Sequence, residues 1–259
     1  MTPPAPARPL QWQERWRALV RAMVLVDSPG AEEQLVDQLC DRGRRDTQVL
    51  AFVNAHAMNS AAGSADFFRA VQGADVLLRD GSGVALLLRW LRREPGLNLN
   101  GTDLIPKLLA RHAGRRIALY GTQEPYLSRA AAQVRNRLAP GAQCSVAHGF
   151  LDTADYVALA QAQQPALIVL GMGMPRQEEV ALALRDALVQ PCLIVCGGAI
   201  IDFLGGKTSR APVWMRRTGV EWAFRLALEP RRLFRRYVIG NPVFLARALR
   251  LVAGSARHG

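Results

Sequence analysis

The stretch PALIVLGMGMPRQEE, residues 165–179, carries a strand, a turn and a helix start in succession. Residues 166–170 form a short unbroken apolar run, the pattern of a strand buried on both faces. Gly171 and Gly173 end the run abruptly. Pro175 suits the first turn of a helix, where a missing N–H does no harm, and Arg176, Gln177, Glu178 and Glu179 open an amphipathic segment. A strand, a glycine turn and a helix N-terminus together aim backbone N–H groups and a positive dipole end above the sheet, where an anion is the natural occupant. A turn that merely joins a strand to a helix has the same pattern, so the stretch predicts a fold before it predicts a ligand.

The same alternation runs outward in both directions. Residues 47–53, 74–78, 116–120, 143–147 and 192–196 read as further strands, with helical segments at 66–71, 84–91, 106–113, 125–138, 155–162 and 177–188. Strands alternating with helices predict an α/β fold, a doubly wound, mostly parallel Rossmann-like sheet with right-handed crossovers. Ligand residues then belong at the carboxyl ends of the strands, within 54–59, 79–83, 121–122, 148–150, 171–177 and 197–202. Three regions are expected: an N-terminal helical segment over 1–46, the Rossmann-like domain over 47–204, and a basic helical C-terminal appendage over 205–259. The first begins with a Pro-rich start at 2–9 and continues as a surface helix over 10–26 that carries Trp12 and Trp16 as packing residues.

Composition bounds the function. A chain of 259 residues, 50% hydrophobic, can bury a substantial core. No apolar run reaches the roughly 18 residues of a membrane-spanning helix, and residues 1–10 lack the charged-then-apolar order of a signal peptide, so a cytoplasmic protein is expected. Cys40 and Cys144 are isolated, and Cys192 and Cys196 sit in an apolar strand with no histidine nearby; buried thiols are expected rather than disulfides or a metal site. Residues 205–259 hold 12 Lys/Arg against Glu221 and Glu229, and so carry ten of the twelve net positive charges. Such a tail suits nucleic acid, anionic lipid or a phosphate-bearing substrate.

Several polar residues fall at the predicted strand ends. Asp80, in RDGSG, can act as a general base toward a ligand or cap the following helix. His56 can be a base or can satisfy a helix start, and Thr102 or Asp103 can cap the helix that follows. A dinucleotide fingerprint is missing: the first strand leads into NAHAMN, and the G-x-G at 171–173 lacks its third glycine. Neither a P-loop lysine motif nor a G-x-S-x-G elbow occurs.

The set NAHAMN (54–59), DGSGV (80–84), NGTDLIP (100–106), GMGMPRQE (171–178) and GGAIIDFLGGKTSRAPVWMRRTGVEWAFRLALEPRRLFRRY (197–237) resembles the WecG/TagA/CpsF glycosyltransferases, glycosyltransferase family 26. The resemblance runs from about residue 48 to residue 237, in order and spacing. It implies a bacterial enzyme, peripheral on the inner face of the cytoplasmic membrane, that moves a sugar from a UDP-sugar to a saccharide on a polyprenyl diphosphate, with inversion. Asp80 would then be the general base, and Asn54 and Gln177 polar pocket residues around the reacting sugars. Gly121, Gly149, Gly171, Gly173 and Asp202 would hold UDP. Two positions depart from the pattern: Phe52 stands where the family often has threonine, and Asn98 where it often has arginine. The donor is therefore left open between a hexose and N-acetylmannosamine.

Without a D-x-D motif no metal clamp on the diphosphate is indicated, and the cations must come from helix N-termini and arginines. The tail offers Arg210, Arg216, Arg217, Arg225, Arg231, Arg232, Arg235 and Arg236. Of these, Arg210, Arg225, Arg231, Arg232 and Arg235 are assigned to the diphosphate or the membrane. Trp222, Phe224, Leu226, Leu228, Leu233 and Phe234 lie among them over 220–236, a composition suited to a helix lying in an anionic bilayer surface, where each cation contributes ~1 kcal/mol. The resemblance also implies that this appendage closes over the active site. A monomer on the membrane and a homo-oligomer in solution are both compatible with the sequence. The rival class is a basic nucleic-acid- or nucleotide-binding protein without transferase activity. It accounts for the tail but not for the near-neutral sheet face, and the chain contains no recognised nucleic-acid module.

Overall fold

A computed structural model describes residues 10–255; the Pro-rich start expected over 2–9 lies outside them. Its strands are β1 (Met23–Val24), β2 (Gln48–Val53), β3 (Val76–Arg79), β4 (Arg116–Gly121), β5 (Gln143–Ala147), β6 (Leu167–Gly171) and β7 (Leu193–Cys196). They form one parallel sheet in the order β1-β3-β2-β7-β6-β4-β5. The helices of the first half are α1 (Trp12–Ala22), α2 (Pro29–Leu39), α3 (Ala55–Gly63), α4 (Ala65–Gln72), α5 (Ser82–Trp90), α6 (Gly101–Arg111) and α7 (Tyr126–Gln133). They are followed by α8 (Thr153–Gln163), α9 (Arg176–Ala187), α10 (Ile200–Leu204), α11 (Val213–Arg217), α12 (Glu221–Leu228), α13 (Pro230–Phe234) and α14 (Gly240–Ser255). The expected doubly wound fold is what forms.

Period-two alternation along each strand feeds two separate cores. Val49, Ala51, Val53, Ala118, Tyr120, Ile168 and Leu170 face one layer with α1, α3, α4, α5, α8, α9 and α14. Leu50, Phe52, Ile117, Leu119, Leu167 and Val169 face the other with α2, α6, α7 and α10. Because both faces are buried, the central strands read as continuous apolar runs, whereas the edge strand β5 keeps Gln143 and Ser145 partly in solvent. The chain leaves β4 toward β5, whereas it leaves β6 toward β7 on the opposite side, so a crevice opens at the carboxyl ends of β4 and β6.

Four local expectations differ from the structure. The helix read over 10–26 stops at Ala22, and Met23–Val24 pairs with β3 as an edge strand, because tertiary pairing overrides a periodicity that runs on without a stop signal. Helix α2, capped by Ser28 with Pro29 in its first turn, was not expected. Helix α6 is capped by Asn100, whose Oδ1 accepts from Asp103 N at 3.0 Å, rather than by Thr102 or Asp103. The segment 220–236 is not one helix: Pro230 lacks an N–H and disfavours helical backbone in Glu229, so α12 ends and α13 begins there.

The C-terminal helix is tied to the domain. Phe244 is buried and stacks on Trp16 with ring centroids 5.3 Å apart, and Trp16 Nε1 donates to the Met58 carbonyl at 2.7 Å. Asn59 Nδ2 donates to Gly240 O at 2.7 Å, and Arg247 Nη1 donates to Asn59 Oδ1 at 3.0 Å. Phe244→Ala is expected to cost about 3–5 kcal/mol, read as a lower urea midpoint. A midpoint equal to wild type would show that α14 adds nothing to the core.

On the second core, the buried His112 places Nδ1 2.7 Å from the Leu108 carbonyl oxygen, and burial lowers its pKa from 6.5 to about 4. The unfolded chain therefore takes up a proton that the folded chain refuses, and this stability contribution, present above pH 6.5, is lost as pH falls toward 4. The cost of His112→Gln should accordingly shrink between neutral and acidic urea melts; a cost that grows on acidification would contradict this sign.

Candidate active site at the carboxyl edge of the sheet

Three groups of residues meet along the carboxyl edge. The first stands on β2 and β3. Asn54 caps α3, its Oδ1 accepting from Ala57 N at 3.1 Å, so NAHAMN is a helix start and not a loop. Its Nδ2 donates to Asp80 Oδ2 at 3.2 Å, and Asp80 N donates to Val53 O at 2.9 Å. Asn54 thus serves both readings at once, capping a helix and orienting a carboxylate. Asp80 itself does not cap: Gly81 occupies the N-cap position of α5 with a φ of 87°, a conformation that favours glycine.

The turn after Asp80 is braced from below. The buried Arg79 donates from Nε to Pro95 O at 2.9 Å, from Nη2 to Gly96 O at 3.0 Å and from Nη1 to Gly81 O at 3.0 Å. Asn98 Oδ1 accepts from Gly81 N at 2.7 Å. Asn98, one of the two departures, therefore holds the turn. Phe52, the other, is buried in the second core beside Leu78, Leu104 and Ile105.

The second group lines the β4/β6 crevice. A Cβ on Gly121 would lie 2.5 Å from the carbonyl carbon and oxygen of Gly171, and one on Gly149 would lie 3.2 Å from Thr122 N. A Cβ on Gly171 would meet Ile201 at 2.7 Å. Gly121 and Gly149 let the ends of β4, β5 and β6 approach one another and Gly171 lets α10 pack against β6, whereas Gly173 has open space and a φ of 80°. Thr122, φ 48° and buried, donates from Oγ1 to Asp202 Oδ1, and Lys207 Nζ lies 3.2 Å from the same oxygen. Gln177 is 1% exposed, behind the crevice: its Oε1 accepts from Gly198 N at 3.0 Å and its Nε2 donates to Glu178 Oε1 at 2.8 Å.

The third group comes from the appendage. Ser82 Oγ donates to Gly219 O at 3.4 Å, and Arg210 and Arg216 lie 2.7 and 3.9 Å from Asp103 Oδ1. The Nε atoms of Arg210, Arg216, Arg225 and Arg236 are shielded from solvent and have no hydrogen-bond partner. Arg225 also lies over the Phe203 ring at 5.6 Å. Burial pushes the Arg236 guanidinium below its usual range, against the opposing pull of Tyr237 and Asp80. Burial and then the Arg236 charge lower His56 to about 4, so this imidazole is neutral at neutral pH. Of the arginines assigned in advance, Arg210 and Arg225 turn inward. Arg232 is paired with Glu229, its Nη2 donating to Oε1 at 2.7 Å, while Arg231 and Arg235 are exposed. Arg216 and Arg236 were offered among the tail's cations without being assigned, and Glu178 was given no role; no pattern in RRLFRR or PRQEE marks which residue turns inward.

Among the described residues no three His, Cys, Asp or Glu side chains come together as a metal site. A hollow of about 480 Å³ lies elsewhere, at the amino ends of the strands beside Arg115, Arg116 and Gln143. Topology, not the size of a hollow, locates this site.

A strand-end carboxylate, a glycine-lined crevice and a cover of inward arginines suit transfer of a group from a phosphorylated donor. The family model described as "Glycosyl transferase WecG/TagA/CpsF family" matches residues 23–257, and the chain belongs to that family. It is similar to the N-acetylglucosaminyldiphosphoundecaprenol N-acetyl-beta-D-mannosaminyltransferase of Bacillus subtilis (strain 168), 27% identical over 71% of this chain and 73% of that protein. It is also similar to the protein so named in Staphylococcus aureus (strain NCTC 8325 / PS 47), 24% identical over 74% of this chain and 76% of that protein.

Gly121→Ala should drive the new methyl into the Gly171 backbone and cost roughly 1–3 kcal/mol, with parallel loss of any ligand of the crevice. A thermal melt and ligand titration indistinguishable from wild type would show that the strand ends can part.

Proposed function

We propose that the protein is an inverting glycosyltransferase that moves a hexose or N-acetylhexosamine(uronate) from a UDP-sugar to a polyprenyl-diphosphate-linked saccharide in bacterial cell-surface polysaccharide synthesis. The observation that carries the reading is that Asp80, held by Asn54 at the end of β3, acts electrostatically on Arg236, whose Nε is shielded from solvent and has no hydrogen-bond partner. Asp80 takes the proton of the acceptor hydroxyl as that oxygen attacks the anomeric carbon. The bond from that carbon to the donor diphosphate oxygen breaks, and UDP leaves with the electron pair and the negative charge. Attack opposite the leaving group inverts the centre.

The leaving diphosphate needs compensating charge, and Arg210, Arg216, Arg225 and Arg236 supply it without a metal. Their shielded Nε–H groups are costly to leave unpaired, which an anionic ligand would correct. The crevice formed by Gly121, Gly149 and Gly171 takes the nucleotide, with Thr122 and Asp202 on its wall. The names of the relatives support an acceptor carried on a polyprenyl diphosphate. The donor remains broader than N-acetylmannosamine because Asn98, a departure from the family pattern, holds the turn after Asp80, while the other departure, Phe52, lies in the second core.

The enzyme works as a peripheral protein at the inner face of the cytoplasmic membrane. No helix among the described residues is long and apolar enough to cross a membrane. The appendage instead exposes Trp214, Leu228, Phe234, Ile239 and Leu249 beside the exposed Arg231, Arg235 and Arg250. Apolar side chains with cations between them fit an anionic bilayer surface.

Two measurements test the reading. With a panel of UDP-sugars and a synthetic polyprenyl-diphosphate-sugar acceptor, Asp80→Asn should lower kcat by about 10²–10⁴ while UDP still binds; undiminished turnover would place the base elsewhere. Arg231→Glu with Arg235→Glu should weaken sedimentation with anionic liposomes by more than tenfold, at ~1 kcal/mol per lost cation, and unchanged sedimentation would remove the membrane from the reading.

A further inference from the structure

Glu178 is left unexplained by this chemistry. It sits in the first turn of α9, 2% exposed, with Cys196 of β7 and Glu179 of its own helix as the titratable groups acting around it and no cation among them. Its Oε1 accepts from Gln177 Nε2 at 2.8 Å, and its Oε2 is shielded from solvent and has no partner. Burial raises its pKa from 4.5 to about 7. A carboxyl kept in such a place disfavours the fold, because an uncompensated buried charge, or a proton held in its stead, is worse than a well-packed apolar side chain. Packing does not explain the residue.

The hydrogen bonds do. The two ends of a glutamine amide have nearly the same shape, and only their partners decide which end points where. In its ionised form, which prevails above about pH 7, the Glu178 carboxylate accepts and cannot donate, so it draws Nε2 to itself and leaves Oε1 facing the other way. There Oε1 meets the N–H of Gly198, at 3.0 Å. Gly198 has a φ of 59° and lies in the turn between β7 and α10. Two residues beyond Gly198 α10 begins, and it carries Asp202, the partner of Thr122. The chain of contacts runs from Glu178 through Gln177 and Gly198 to the wall of the crevice.

We propose that Glu178 is a positioning residue: by accepting from Gln177 Nε2 it sets the orientation of that amide, which holds the Gly198 N–H and so fixes the β7–α10 turn that presents Asp202 to the nucleotide. Gln177 on this account works from behind the turn rather than against the sugars. The proposal deepens the nucleotide reading of the crevice and rests on it only for the identity of the ligand.

The test separates positioning from stability, and the relay from the ligand. In Glu178→Met, methionine fills the space but accepts no hydrogen bond of comparable strength. Amide hydrogen exchange at Gly198 should accelerate and the Kd for UDP should rise about tenfold, the worth of one hydrogen bond, while Tm at mildly alkaline pH holds or rises. In Glu178→Gln, an amide oxygen can still accept from Gln177, so Gly198 exchange and UDP affinity should stay within about twofold of wild type by the same hydrogen-bond arithmetic. Wild-type exchange and affinity in the methionine variant would overturn the relay, as would equal losses in both variants. Should the methionine variant fail to fold, Gln177→Met, which removes the acceptor from Gly198 N, decides: wild-type Gly198 exchange and UDP affinity there would overturn the relay. If the wild-type protein does not bind UDP, the nucleotide reading falls, and Gly198 exchange still judges the relay.

Discussion

The close approach of three strand ends is the constraint on which the rest of the site depends. Gly121 and Gly171 are register partners at the ends of β4 and β6, and a methyl group on the former would sit 2.5 Å from the backbone of the latter. Gly149 closes on Gly121 and Thr122 from the β5 side. Without side chains there, the crevice at which the chain changes direction narrows to a backbone-lined slot. The two loops that leave it have one spacing, Gly-x-x-x-Pro at 121–125 and 171–175, each with a cis peptide before its proline. Both loops pass directly into helices, α7 and α9, that anchor the slot to opposite cores.

A second constraint is electrostatic. Asp80 stands on the sheet, held by Asn54, and the turn behind it is braced by Arg79 and Asn98. Across from it the appendage brings four guanidinium groups whose Nε atoms are out of water and without partners. Leaving shielded N–H donors unpaired is unfavourable, so the half-buried arginines are poised for an anionic ligand rather than satisfied by themselves. Asp103 partly supplies the missing charge for Arg210 and Arg216. The appendage is held to the domain at its far end by Phe244, Asn59 and Arg247, which leaves the segment between as a cover over the site.

Much of this was legible in the residues. The apolar runs located β2 to β7 closely, because most of these strands are buried on both faces; β5, an edge strand with Gln143 and Ser145, was legible from its place in the strand–helix alternation. The strand-end rule then brought Asn54, Asp80, the glycines and Asp202 to one edge of the sheet. The helix starts were harder. Asn54 and Asn100 are each followed by further polar or small residues, so more than one position could have served as the cap, and only the hydrogen bonds to Ala57 and Asp103 distinguish them. Met23–Val24 was read as helix because nothing local marks its end; its strand character comes from pairing with Leu77 and Leu78, more than fifty residues away.

The sequence by itself determined the sheet, its direction and the edge at which ligand groups collect, since these follow from local periodicity and from the handedness of the crossovers. It also determined the family, through motifs whose order and spacing survive in the chain. Which arginines face inward was decided only by the tertiary structure. In RRLFRR the four arginines are chemically identical, and the break at Pro230 together with the docking of α14 sets the turn that shields Arg236 and exposes Arg231 and Arg235. The same holds for Gln177. Its place behind the crevice depends on Glu178 and Gly198 arriving from two different elements, and no spacing within one element encodes that meeting.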